Sequence, residues 1–327
     1  MPWPNGRIAH NSKMPSDAEF MADFTKLGAS LVAKKYGVEV RNVYKKRKFI
    51  EKRQGAIIAA PTKGGHVQHL DQHPAAIQLH IKDGIVLVGS DAHYWPGIHA
   101  PAHRAFVRFC QEINPSIVVM NGDAYDGARV SRWPDGSWQD AAHKPSVIQE
   151  LVATQECLSE IEKASPKARH IWSMGNHDAR FEMRLLQQAP EYAEVEGVKL
   201  KDHFPDWEPC WAALVNKDVV IKHRFKSGIH APHNNTLWSG RTIVTGHLHS
   251  LKVMPVSDYN GTRWGVDCGT LADPYGPQFF NYTELNPLNW RSGFVVMTFH
   301  NGRLLWPEIV HVLGPNEYEW RGKVYQI

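Results

Sequence analysis

The chain has 327 residues, 43% hydrophobic and 21% charged, a balance that excludes a disordered polymer and leaves room for one large domain with a small companion. No run of about 18 apolar residues occurs, and the Met1-Pro2-Trp3 start lacks a secretory pattern, so a cytoplasmic protein with no membrane partner is expected. Cys110, Cys157, Cys210 and Cys268 are scattered with no CxxC pair, which argues against a disulfide framework and against a thiolate zinc site.

The net charge of +4 conceals an asymmetry, because nine basic residues face only Glu39 and Glu51 between Lys34 and Arg53. Residues 1–54 read as a self-contained helical segment. Ser16 or Asp17 caps a first helix with Phe20, Phe24 and Leu27 on one face, and Gly28 ends it. A short second helix runs from Ser30 to Tyr36, Gly37 makes a tight turn, and a third spans about Glu39 to Arg53. With Val32, Tyr36, Val38 and Val43 inward and the small Ala33 at the crossing, the pattern resembles a helix-turn-helix. On that reading Arg41, Asn42, Lys45, Lys46 and Arg47 reach DNA; the competing reading is a solvated basic helix.

Residues 55–80, broken by Pro61, Gly64-Gly65 and Pro74, read as a linker whose histidines (His66, His69, His73, His80) lack ligand spacing. From 81 to 327 the pattern turns to strands alternating with helices. Strands are expected at Ile85–Val88, Ile117–Met120 and His170–Met174, with helices over about Ala102–Ile113 and Ser146–Ala164. Further strands are expected at Val219–Ile221, Thr242–Val244, Leu251–Val256, Trp264–Val266, Phe294–Phe299 and Leu304–Val310. Two insertions interrupt the core, 124–144 with Tyr125, Trp133 and Trp138, and 190–209 with Tyr192, Phe204 and Trp207. Tyr94, Trp95 and the aromatics of the first insertion follow ligand-bearing strand ends, where base stacking competes with ordinary loop packing.

Five patches of metal-ligand residues follow the apolar runs in order: Asp91-Ala92-His93, Gly122-Asp123, Gly175-Asn176-His177-Asp178, His223 and Gly246-His247-Leu248-His249. Each falls where a strand of an α/β sheet ends, the usual place for a ligand site. Carboxylate, imidazole and amide donors without thiolate suit a pair of divalent cations, Mn²⁺ first, with Fe or Zn²⁺ as alternatives. A carboxylate between the two ions offsets their repulsion, and an asparagine adds a donor oxygen without charge. His223 is backed as the fourth patch because it ends a strand, but His230 and His233 follow closely and stay open. Arg180, directly after the third patch, is a candidate clamp for a substrate phosphate.

This ordered set resembles the calcineurin-like metallophosphoesterase superfamily over about residues 81–311. The resemblance implies a two-sheet α/β sandwich flanked by helices, with the small N-terminal helical segment as an addition. It implies that Asp91, His93 and His249 hold one metal, that Asn176, His223 and His247 hold the other, and that Asp123 bridges them. His177 would stand beside the metals, contacting phosphate or protonating the leaving oxygen, with Asp178 orienting its ring. The implied activity is phosphoester hydrolysis through a metal-bridging hydroxide. The basic N-terminal segment selects DNA as the expected substrate of a phosphodiesterase or nuclease. The alternative is a small-molecule phosphoesterase acting on a nucleotide or phosphomonoester, and a third reading is a DNA-binding regulator with an idle metal site.

Overall fold

A computed structural model describes residues 14–54, 58, 75–132, 142–284 and 286–327. The chain divides into two compact units, Met1–Leu70 and Asp71–Ile327.

In the first unit Ser16 caps helix α1 (Asp17–Tyr36), its side chain accepting from the amide of Glu19 at 3.3 Å. Gly28, with φ 75° and ψ 171°, breaks α1 into the two helices expected from the sequence. Gly37 closes it in the left-handed conformation at φ 61°, and α2 (Val40–Gln54) follows. Phe20, Phe24, Val32, Ala33, Val43 and Ile50 form a core of their own, so the apolar faces of these helices are buried within the unit.

The second unit is a mixed α/β fold with two packed sheets, the two-sheet sandwich flanked by helices expected from the sequence. One sheet centres on β2 (Gly84–Gly89), β3 (Ile117–Met120) and β4 (Arg169–Ser173), all parallel. β5 (Glu208–Cys210) lies at one edge, and antiparallel β11 (Gly293–His300) leads to β13 (Glu308–Gly314), β14 (Glu317–Trp320) and β15 (Lys323–Gln326) on the other side. The two-residue strand β12 (Arg303–Leu304) pairs with β11. The other sheet runs β1 (Ala76–Leu79), β6 (Ala212–Val215), β7 (Val219–Ile221), β8 (Thr242–Thr245), β10 (Gly261–Asp267), β9 (Lys252–Asp258).

Side-chain alternation along the strands builds two cores. Val86, Val88, Ile117, Val119 and Ile171 point between the sheets and meet Val215, Ile221, Val244 and Val266. Leu87, Val118, Met120 and Trp172 point outward, under α3 (Pro101–Ile113) and α4 (Val147–Ala164). Helix α3 presents Ala102, Ala105, Phe106, Phe109 and Cys110 to the sheet, and Ser146 with Gln149 closes a capping box on α4. The shorter helices α5 (Arg180–Gln188) and α6 (Ala231–Ser239) follow β4 and precede β8.

Several expectations change. Residues 76–79, read as linker, form β1, paired in parallel with β6. The end of the second insertion is strand β5, while Phe204 and Trp207 are core residues. The single strand expected over Leu304–Val310 is divided at Pro307, which has no amide to donate. His66, His69, His73, Trp133 and Trp138 lie outside the described residues.

Candidate metal centre

Every ligand patch sits at the carboxyl end of a parallel strand: Asp91 and His93 after β2, Asp123 after β3, Asn176–Asp178 after β4, His223 after β7, His247 and His249 after β8. The loops are held by bonds between patches. The Asp91 amide donates to Gly122 O and the His93 amide to Asp123 O, each at 2.9 Å, and Gly246 N donates to His223 O at 2.8 Å. Backbone crowding enforces two of the glycines. A Cβ on Gly175 would collide with the Asp123 carboxylate, and one on Gly122, which has φ 84°, would collide with the His223 ring.

Five of the candidate ligands adopt the left-handed backbone conformation that L-residues avoid: Asp91 (φ 54°), His93 (42°), Asp123 (52°), His247 (70°) and His249 (56°). The tight bends turn side chains from two sheets toward one point. There, donor atoms of Asp91, His93 and His249 lie within 4.8 Å of one another, as do those of Asp123, His223 and His247. Asp123 also groups with His93 and His177, which places it between the two sets. His230 and His233 join neither set, so among the described residues His223 is the histidine the fold delivers.

The donor set passes a chemical test for cations. His93 Nε2, Asn176 Oδ1 and His223 Nε2 are buried and accept or donate no hydrogen bond, a costly state unless something else satisfies them. His223 Nε2 lies 3.0 Å from Asp123 Oδ2 and 4.0 Å from Asp91 Oδ1. Each ring is aimed by its other nitrogen. His93 Nδ1 meets Asp126 Oδ1 at 2.7 Å, and His223 Nδ1 meets the Asn121 carbonyl at 2.8 Å. Burial works against charge at both carboxylates and at His223, yet their mutual attraction wins. The His249 and His223 imidazoles hold Asp91 down at about 2, and Asp123 and Asp91 hold His223 up at about 10.

His177 is different. Its Nδ1 faces Asp126 O at 2.9 Å and Asp126 Oδ1 at 3.0 Å, and its Nε2 accepts from Arg180 Nη2 at 3.0 Å. Both ring nitrogens therefore have hydrogen-bond partners outside the cluster, while Nε2 stays 4.0 Å from Asp123 Oδ2 at its edge. Arg180 also donates to Asp126 O at 3.0 Å, so its guanidinium backs the histidine at the rim.

Asp178 does not orient His177. Its carboxylate accepts from the amides of Gly175 (2.7 Å), Asp123 (2.8 Å) and Tyr125 (3.0 Å) and from the Trp172 indole (3.1 Å). Four donors around one buried carboxylate lock the second and third patches together. The orienting group is Asp126, which the sequence reading missed; its signal is the Gly122-Asp123-Ala124-Tyr125-Asp126 spacing. Also missed were Phe279 and Trp290, whose rings lie 5.0 Å from His93 and 4.1 Å from His249 and wall that side. Tyr94 and Tyr125 are buried in the core and offer no face for stacking, whereas Trp95 is half-buried.

In the N-terminal unit the five expected DNA contacts divide. Arg41 and Lys45 are exposed and Asn42 is half-buried. Lys46 and Arg47 turn inward: Lys46 pairs with Asp17 at 3.1 Å and lies over Phe20, while Arg47 pairs with Glu51 at 2.7 Å and lies over Phe24. The exposed basic row is instead Arg41, Lys45, Lys48 and Lys52.

No curated protein matches the chain in sequence. Solved structures that resemble it include the following three. Zinc-complexed wild-type Vps29 from Entamoeba histolytica is 14% identical, with 74% of this chain and 96% of that one covered and a TM-score of 0.37. YfcE, a phosphoesterase from E. coli, is 14% identical over 68% of this chain and 97% of that one, TM-score 0.32. The nuclease MPE of Pseudomonas putida is 14% identical over 68% and 86%, TM-score 0.30. The profile of the calcineurin-like phosphoesterases matches residues 85–322, a span that contains every candidate ligand. On that match, the chain belongs to the calcineurin-like phosphoesterase family.

Proposed function

We propose that the protein is a metal-dependent phosphoester hydrolase acting on DNA. The observation that carries the metal dependence is the group of buried ligand atoms without a hydrogen bond, His93 Nε2, Asn176 Oδ1 and His223 Nε2, beside two carboxylates. Asp91, His93 and His249 would hold one divalent ion and Asn176, His223 and His247 the other, with Asp123 shared. Such a pair activates water and polarises phosphoryl oxygens. The nitrogen and oxygen donors favour Mn²⁺, with Fe or Zn²⁺ next.

The chain's own groups supply the rest. Asp126 and the Asn121 carbonyl engage Nδ1 of His93 and His223, so that each would offer Nε2 to a cation, which at His223 would displace the proton held there. His177, three residues before Arg180, would contact the phosphate or pass a proton to the leaving oxygen, and Arg180 can follow the phosphate charge. DNA is supported by the exposed basic row of α2, which would concentrate a polyanion near the enzyme. The four cysteines are free and buried, which supports a reducing cytoplasm. No helix of the described residues is long and apolar enough to cross a membrane.

The inward turn of Lys46 and Arg47 favours the second reading, in which the basic segment is structural and the substrate is a nucleotide or phosphomonoester. The two separate by assaying the purified chain with Mn²⁺ on labelled single- and double-stranded DNA beside bis(p-nitrophenyl) phosphate and nucleotides. On the first reading, the Arg41→Glu, Lys45→Glu, Lys48→Glu triple variant loses DNA cleavage and its salt dependence while keeping hydrolysis of the small ester. Equal DNA cleavage by the variant removes the case for DNA.

A further inference from the structure

A second cluster of ligand-type side chains lies where α3 packs on α4. His99 and His103 are four residues apart at the start of α3, and Cys157 and Glu160 are three apart on one face of α4. Donor atoms of His99, His103 and Cys157 lie within 4.8 Å of one another. Glu160 closes the group, with Oε2 2.9 Å from His103 Nε2 and Oε1 3.3 Å from His99 Nδ1. His103 and Cys157 are buried, whereas His99 and Glu160 stand at the surface, where an ion can enter.

We propose that His99, His103, Cys157 and Glu160 form a structural zinc site, separate from the dimetal centre. Two imidazoles, one thiolate and one carboxylate make a four-coordinate donor set, and the two anionic ligands neutralise the ion. In a tetrahedral site with bonds of about 2.0–2.3 Å, donor atoms stand roughly 3.3–3.8 Å apart. The group reaches that size when the His99, His103 and Cys157 donors, now within 4.8 Å of one another, draw together and the flexible Glu160, 2.9 Å from His103 Nε2, opens slightly to admit the ion. The thiolate separates this site from the other one, since sulfur favours Zn²⁺ over Mn²⁺.

The buried end is already oriented for a metal. His103 Nδ1 meets the Tyr94 hydroxyl at 3.0 Å, which leaves Nε2 to face Glu160 and the ion. Burial pushes the Cys157 thiol up to about 12; zinc binding would displace that proton to solvent. Tyr94 adjoins His93, and its amide donates to Ala124 O at 2.9 Å. The zinc site would thus brace the loop that carries Asp91 and His93 without touching substrate. Because the two ligand pairs lie far apart in the chain, spacing along the sequence gives no sign of it.

The test is cobalt titration of the metal-free full chain. Wild type and Asp123→Asn are expected to show the near-ultraviolet thiolate-to-cobalt charge-transfer band, and Cys157→Ser to lack it. Cys110, Cys210 and Cys268 remain in that variant, so the loss is specific. His99→Ala, a surface change compatible with folding, is expected to weaken zinc binding by at least ~10-fold, read by competition with a chromophoric chelator. Absence of the band from folded wild type, its survival in Cys157→Ser, or unchanged zinc affinity in His99→Ala would overturn the proposal.

Discussion

Asp126 Oδ1 lies 2.7 Å from Nδ1 of His93, and this contact decides which nitrogen of His93 is left for a metal. The same oxygen stands 3.0 Å from His177 Nδ1, so one carboxylate aims a ligand and the rim histidine together. Asp126→Ala should lower Mn²⁺ affinity by about 10–100-fold, the usual cost of removing such a partner. Calorimetric titration of the metal-free protein checks this, and an affinity within twofold of wild type would show the contact to be incidental.

His223, and neither of its two neighbours along the chain, is placed in the ligand cluster. His223→Ala should therefore reduce metal-dependent hydrolysis by more than ~100-fold. His230→Ala and His233→Ala should stay within about twofold of wild type. Steady-state assays of the three variants side by side give the answer, and a large loss in either neighbour would reassign the ligand.

Gly175 approaches Asp123 so closely that a single methyl group collides with the carboxylate and the backbone amide. Gly175→Ala is expected to destabilise the fold by about 1–3 kcal/mol and to displace Asp123 from its position between the two ligand sets. Urea unfolding should register the first effect and metal titration the second. Preservation of both would mean that the loop yields at little cost.

Glu150, which is not among the candidate ligands, gives the protein a pH dependence of its own. Burial, with the neighbouring Asp126 charge, pushes its carboxyl from 4.5 up to about 7, even though it accepts from the Ala128 amide at 2.9 Å. A folded-state value above the unfolded one means that the folded protein holds the proton more tightly. The resulting stabilisation is complete below the unfolded value and disappears as pH rises through the folded one. Unfolding free energy should fall by on the order of 3 kcal/mol across that window. Glu150→Gln should flatten this fall, and denaturant melts of both proteins at about pH 5 and about pH 8 would reveal it.

The convergence of the candidate ligand patches was legible because the proposed chemistry is written in residue type and the placement in strand ends. Asp91, Asp123 and His247 each follow a short apolar run, and such runs announce buried parallel strands without knowledge of their order. The role of Asp178 was not legible, because a carboxylate beside a histidine in sequence looks like its partner. Only the loop path shows it turned toward Gly175, Asp123 and Trp172. Lys46 and Arg47 misled for a similar reason: periodicity places them on α2, but whether a long cation faces solvent depends on Asp17 and Glu51 nearby in space. Strand β1 escaped notice because it is four residues long and is held by pairing with β6, distant in the chain.

The left-handed backbone at Asp91, His93, Asp123, His247 and His249 has a consequence for evolution and engineering. At each of these positions glycine would relax the chain, so the sequence best suited to folding differs from the one that carries ligands. A selection for thermal stability alone would drift toward glycine at these bends and silence the enzyme, whereas one that also demands turnover must keep the five residues and find its stability elsewhere.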